Sequence, residues 1–167
     1  MKKMTEEFLK NALAGESQAH VKYAAFAEKA QRENLPNVAR LFRANSYAEL
    51  VHATNHFQTL GGVGKTGDNL EAAIGGETFE VTEMYDAYQL VAEHQGEKAA
   101  VMMFHRAMEA EKIHADLYKK AKTAVTAGQD ADAAPIYVCS VCGFTMHGDA
   151  PDKCPMCQAP KDKFVKF

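Results

Sequence analysis

Glu109-Ala110-Glu111-Lys112-Ile113-His114 repeats a pattern also present in Ala48-Glu49-Leu50-Val51-His52: a glutamate followed three residues later by a histidine, each inside a long stretch of helical apolar period. On an α-helix, residues i and i+3 lie about 60° apart around the axis, so each pair aims one carboxylate and one imidazole at the same spot. Two such helices facing each other form half of a metal site. A complete four-helix version adds one glutamate from each of two further helices and holds two ions.

The neighbouring segments supply those glutamates. A first helix is expected from about Thr5 to Asn34, with Thr5 as N-cap, Glu6 and Glu7 in the first turn and Pro36 just beyond the end. Its inward stripe includes Leu9, Leu13, Glu16 and Tyr23, and a carboxylate on such a stripe costs several kcal/mol if unpaired, on the order of the usual burial penalty. A second helix should run from Pro36 to Leu60, stopped by Gly61-Gly62, with Val38, Phe42, Glu49, His52, His56 and Leu60 on one face. His56 reads as a histidine hydrogen-bonded in or near the core and is left outside the site.

Gly64-Lys65-Thr66 imitates the end of a phosphate-binding loop, but that motif needs a glycine where Thr59 stands and a strand before it. The segment is read as a helix connection. Asp68 is expected to cap a short helical turn through Ile74. A further helix then covers Glu77 to His94, with Glu77, Glu80, Met84, Tyr88 and Val91 inward. The last long helix begins near Gly96 and continues toward Lys122, with Val101, Phe104, Met108, Glu111, His114 and Tyr118 on one side.

Glu16, Glu49, Glu77, Glu80 and Glu111 therefore share one core, more negative charge than a fold tolerates without cations. A pair of iron ions beside two neutral imidazoles nearly balances them, and mixed carboxylate and imidazole donors suit iron or manganese. With an open position, such a site binds and activates small oxidants.

The 167-residue chain is 47% hydrophobic and 25% charged with a formal net charge of −3, which disfavours both disorder and a nucleic-acid partner. No signal-peptide pattern and no apolar run of membrane-spanning length occurs, so a cytoplasmic protein without a membrane partner is expected. All four cysteines stand in the last 29 residues as Cys139-x2-Cys142 and Cys154-x2-Cys157. That spacing makes a tetrahedral thiolate site for zinc or iron. A redox-active pair in the bundle favours iron here, because the pair needs a one-electron entry port. Short β pieces with Tyr137, Phe144 and Phe164 as a very small core are expected around the two knuckles.

Gly15-Glu16-Ser17-Gln18-Ala19, the Glu49 and Glu111 pairs, Gly76-Glu77 with Glu80, and the cysteine tail together resemble the rubrerythrins over nearly the whole chain. The tail's Cys139-x-x-Cys142-Gly143-Phe144 and Ala150-Pro151-Asp152-Lys153-Cys154-Pro155-x-Cys157 resemble their rubredoxin-like part. The resemblance implies a mostly α protein: a ferritin-like di-iron four-helix bundle over 1–127, a linker over 128–135, and a small rubredoxin-like β/metal-knuckle domain over 136–167. It implies a peroxidase reducing hydrogen peroxide to water as oxidative-stress protection. Electrons would come from a rubredoxin or its NAD(P)H-dependent reductase through one iron on Cys139, Cys142, Cys154 and Cys157, with zinc as a possible substitute.

The same resemblance implies bridging roles for Glu49 and Glu111, terminal roles for Glu16 and for Glu77 with His114, and an exchange at one iron between Glu80 when oxidised and His52 when reduced. Tyr23 and Tyr85 would stand beside the pair. A head-to-tail homodimer is expected, because a fourth helix continuing past His114 would carry the chain's own cysteine site away from its bundle. The competing reading is a ferritin-like iron-oxidising, iron-handling protein with a zinc-ribbon interaction tail.

Overall fold

The computed structural model describes residues 1–167 and is built from two compact units, Met1–Gly64 and Lys65–Phe167. The first is a hairpin of α1 (Lys3–Arg32) and α2 (Pro36–Thr59). Lys2, not Thr5, takes the cap position of α1, without a side-chain hydrogen bond, because nothing in Lys3-Met4-Thr5 opposes the helical backbone. Along α1 the covered stripe is Leu9, Leu13, Glu16, His20, Tyr23, Ala27 and Ala30, matching the expected face. On α2 the covered residues are Ala39, Phe42, Ser46, Glu49, Ala53, His56 and Leu60, whereas Val38 and His52 are exposed. Small residues at 39, 46 and 53 let the helices approach closely, and this turns the face away from Val38. A polar clasp joins them: the buried Ser46 hydroxyl donates to the His20 carbonyl at 2.9 Å, and His20 Nδ1 lies 2.8 Å from the Ser46 carbonyl.

The second unit begins with one continuous helical run, α3 (Thr66–Phe79), a π-helical turn (Glu80–Met84) and α4 (Tyr85–His94), followed by the antiparallel α5 (Lys98–Thr126). The break expected before Glu77 is absent. Gly75 and Gly76 continue the helix, since a helical glycine costs only about 1 kcal/mol relative to alanine. Up to the end of the π turn, Glu77, Glu80 and Met84 are covered as expected; after it, Tyr85, Gln89 and Ala92 take over and Tyr88 and Val91 are exposed. The extra residue of a π turn shifts the phase of the stripe, which a constant 3.6-residue period misses.

The two units contain the same hairpin twice. Tyr23, Phe26, Ala30, Phe42, Glu49, His52 and Ala53 stand 62 positions before Tyr85, Tyr88, Ala92, Phe104, Glu111, His114 and Ala115. Each half holds a three-ring cluster, Tyr23–Phe26–Phe42 and Tyr85–Tyr88–Phe104, with centroids 5.5 to 6.4 Å apart in the first and 5.5 to 6.2 Å in the second. The turns match as well: Asn34 (φ 58°) and Gly96 (φ 73°) take the left-handed conformation, and Leu35 N–H to Ala30 O repeats as Glu97 N–H to Ala92 O. Upstream of the π turn, Glu16 and Glu77 are only 61 positions apart, so the π turn is the one-residue difference between the halves.

α5 reaches Thr126 and ends with Gly128 at φ 73°; residues 129–135 contain neither helix nor strand. A three-stranded antiparallel sheet follows, ordered β2 (Thr145–His147), β1 (Ile136–Cys139), β3 (Phe164–Lys166), with Val138 opposite Thr145 on one side and Val165 on the other. Its core is Cys139, Cys154 and Ala159, with Phe144, Met156 and Phe164 packed against them; Tyr137 is half-buried outside that cluster. Within this unit β2 packs on α5. No helix is long and apolar enough to cross a membrane.

Candidate metal centre

Each hairpin gathers three donors. In the first, Glu16 Oε1 and Glu49 Oε2 lie 3.9 and 2.9 Å from His52 Nδ1. In the second, Glu77 Oε1 and Glu111 Oε2 lie 3.9 and 2.6 Å from His114 Nδ1. All three donors of each group fall within 4.8 Å of one another. The helix spacing explains the likeness: a glutamate on the first helix of each hairpin stands level with a Glu-x-x-His on the second, and each Glu-x-x-His lies at the same sequence distance from its equivalent turn. Two carboxylates and an imidazole in each group suit a divalent ion with positions to spare.

The groups differ in support. Thr145 Oγ1 lies 2.7 Å from His114 Nε2 and 3.1 Å from the Gly143 carbonyl, while His114 Nδ1 lies 2.6 Å from Glu111 Oε2. A metal on Nδ1 would place the ring hydrogen on Nε2, where Thr145 can accept it and pass its own hydroxyl hydrogen to the Gly143 carbonyl. His52 makes no such second bond and is exposed. Nothing in the sequence singles out Thr145, whose partner lies 31 residues away.

Charge crowds in the second group. Burial, then the hydrogen bond and charge of Glu111 and the charge of Glu80, raises Glu77 to about 7. Glu80, which opens the π turn, is raised by burial and by Glu111, against an opposing pull from His114. Burial first and the charges of Glu80, Glu111 and Glu77 next raise Tyr85, keeping its hydroxyl a donor. Glu80 has no carboxylate counterpart in the first hairpin, where Gln18 and Ala19 occupy the equivalent stretch. Tyr23 and Tyr85 occupy equivalent places in the two ring clusters.

The four thiols form a separate group. Cys139 and Cys157 sulfurs are 3.7 Å apart, and Cys142 and Cys154 sulfurs 3.6 Å. A disulfide needs about 2.05 Å. A tetrahedron with metal–sulfur bonds of about 2.3 Å has edges of about 3.8 Å, so the thiols fit one thiolate-bound ion. Gly143 and Gln158, each following the second cysteine of a knuckle, take positive φ of 79° and 61°, the turn that brings both sulfurs of a pair to one side. Burial pushes the Cys142 and Cys154 thiols up. At Cys157 burial is outweighed by the Ala159 N–H and neighbouring thiols, and it is lowered to about 7. An open groove of about 540 Å³ at the α4–α5 turn, beside Gln89, Lys98 and His105, contains no donor of these groups.

Residues 7–122 match the family model described as Rubrerythrin, and residues 137–165 match that described as Rubrerythrin, rubredoxin-like domain. Rubrerythrin-2 of Clostridium acetobutylicum is 43% identical, covering 98% of this chain and 97% of its own. Nigerythrin of Nitratidesulfovibrio vulgaris is 34% identical, covering 98% and 86%. A solved nigerythrin structure in the fully reduced, all-ferrous state aligns with a TM-score of 0.57 at 34% identity, over 98% of this chain and 86% of that one. The two models fall in order on the helical region and the cysteine module, and the fold is the mostly α, ferritin-like one with a small rubredoxin-like tail. The chain therefore belongs to the rubrerythrin family, and its Glu/His clusters and four-cysteine knuckle correspond to that family's di-iron and rubredoxin-like sites.

Proposed function

We propose that this protein is a cytoplasmic peroxidase that reduces hydrogen peroxide to two waters, using two electrons and two protons, with electrons entering through iron at the four cysteines. Glu16, Glu49, Glu77, Glu111 and His114 would hold an iron pair, with Glu49 and Glu111 each serving both ions. A ferrous pair so held would supply one electron per ion toward cleaving the peroxide O–O bond. Glu80 and His52 would be the exchanging side chains: neutral His52 suits a reduced pair, and anionic Glu80 would be favoured where oxidation adds positive charge. Tyr23 and Tyr85 pass protons toward the departing oxygens, and raised Tyr85 stays protonated for that task. The domain division is 1–127, 128–135 and 136–167, and a homodimer works with a rubredoxin or its NAD(P)H-dependent reductase as donor.

The observation that carries this reading is the double engagement of His114, whose Nδ1 faces Glu111 while its Nε2 is hydrogen-bonded to Thr145 on the cysteine module. The four-cysteine site, whose Cys142 stands three residues before Thr145 in sequence, is thereby joined to a candidate ligand of the pair. The sequence-based reason for transfer between chains falls away, because the tail folds back onto α5 of its own unit. Metal analysis with a donor-coupled assay tests the reading. About three irons per chain and peroxide-dependent donor oxidation support it; zinc in the tail of protein purified from its native host, with no peroxide consumption, contradicts it.

A further inference from the structure

We infer that the iron pair is held between two copies of the chain, with Glu16, Glu49 and His52 from the α1–α2 hairpin of one protomer and Glu77, Glu111 and His114 from the α3–α5 hairpin of its partner. The inference rests on the reading that these six side chains share one di-metal centre. A ferritin-like bundle joins its second and third helices by one long crossover, because its two hairpins place their turns at opposite ends. From Glu49 to the end of α2 at Thr59 is ten residues, about 15 Å of helix, and from Thr66 to Glu77 eleven, about 16 Å. In that topology the end of α2 and the start of α3 lie on opposite sides of the metal layer, roughly 30 Å apart along the bundle.

The connection is too short for that span. Leu60 to Lys65 gives seven Cα steps between Thr59 and Thr66, at most about 25 Å fully extended. Much of it is already committed. Leu60, Gly61 and Gly62 N–H groups bond back to His56, Gln58 and Phe57 carbonyls, with Gly61 at φ 75°, and the Lys65 carbonyl accepts from Asp68 N–H. Only Gly62 to Thr66 can stretch, about 14 Å. The hairpin that completes a unit must then come from another chain.

A second copy fits because it presents the complementary half. Each two-helix layer buries mainly alanines and leaves apolar side chains exposed, Phe8, Leu50, Val51 and Phe57 on one and Phe79, Met102 and Met103 on the other. The equivalence of the halves supplies the two-fold relation: Glu16 and Glu77, Glu49 and Glu111, and His52 and His114 would surround the ions from opposite sides. A dimer holds two such centres, each built from both chains.

Mixed dimers of differently tagged Glu49→Gln and Glu111→Gln chains, co-expressed and isolated by both tags, separate the alternatives by iron content. In the shared arrangement one centre carries both substitutions and the other none. Iron beyond that at the cysteines is expected at about two ions per mixed dimer and near zero in either parent. A mixed dimer with no more iron than its parents, while wild type fills the pair, would overturn sharing between copies and leave the proposed function standing. Wild type that binds no iron outside the cysteines would remove both. A wild-type protein that fills the pair as a monomer by native mass spectrometry also overturns the inference.

Discussion

His114 and Thr145 are joined by a 2.7 Å hydrogen bond between α5 and β2, and this bond links the two metal-binding regions of the chain. Thr145→Val removes the hydroxyl with little change of shape. It should cost about 1 kcal/mol of stability, leave metal content intact, and slow donor-driven turnover more than the reaction of pre-reduced protein with peroxide. Equal slowing of both would place the bond in the support of the pair and not in the electron route.

Glu80 is the carboxylate that the repeat does not explain, and it opens the π turn that makes the halves unequal. Glu80→Ala should retain both irons and slow peroxide turnover on the order of tenfold or more. Iron analysis and single-turnover oxidation check this. Unchanged oxidation, with Glu111→Ala abolishing metal binding, would reduce Glu80 to a bystander.

Metal removal should expose the crowding among Glu77, Glu80 and Glu111. Because Glu77 and Glu80 are raised in the folded chain, the metal-free fold binds more protons than the unfolded chain above about pH 4.5, so its stability falls as pH rises toward and through about 7. Melting of metal-free protein should drop between pH 5 and about 8, and the gap to iron-loaded protein should widen. Parallel curves would mean that these carboxylates do not repel one another.

The equivalent turns make an asymmetric prediction. Asn34 and Gly96 both have positive φ. Asn34→Gly should change stability by only a few tenths of a kcal/mol, whereas Gly96→Ala, with open space for its methyl, should cost about 1 kcal/mol from backbone strain alone. Denaturant midpoints measure both.

Much of this was legible because metal donors obey helix spacing: Glu49 with His52 and Glu111 with His114 announce themselves, as does the cysteine tail. Glu16 and Glu77 could be found because a charge on an apolar stripe is anomalous. The π turn could not, since it has no local composition, and it moved Tyr88 and Val91 off the covered face. Aligning Tyr23 with Tyr85 and Glu16 with Glu77 would have revealed the inserted residue. His52 was placed inward by its period, yet close packing at Ala39, Ser46 and Ala53 leaves it at the edge. Thr145 was invisible, because its role comes from a tertiary contact that no nearby pattern encodes.

The most direct test of peroxide reduction fed through the cysteine module is anaerobic stopped-flow mixing of fully reduced, iron-loaded protein with hydrogen peroxide, following the ferric-thiolate colour and residual peroxide together. The account predicts rapid loss of about one peroxide per iron pair, then growth of the colour as electrons leave the cysteine site; Cys142→Ala should keep the first phase and lose both the colour and donor-driven turnover. Undiminished donor-driven turnover in Cys142→Ala, or wild-type protein that leaves the peroxide unconsumed, would contradict it.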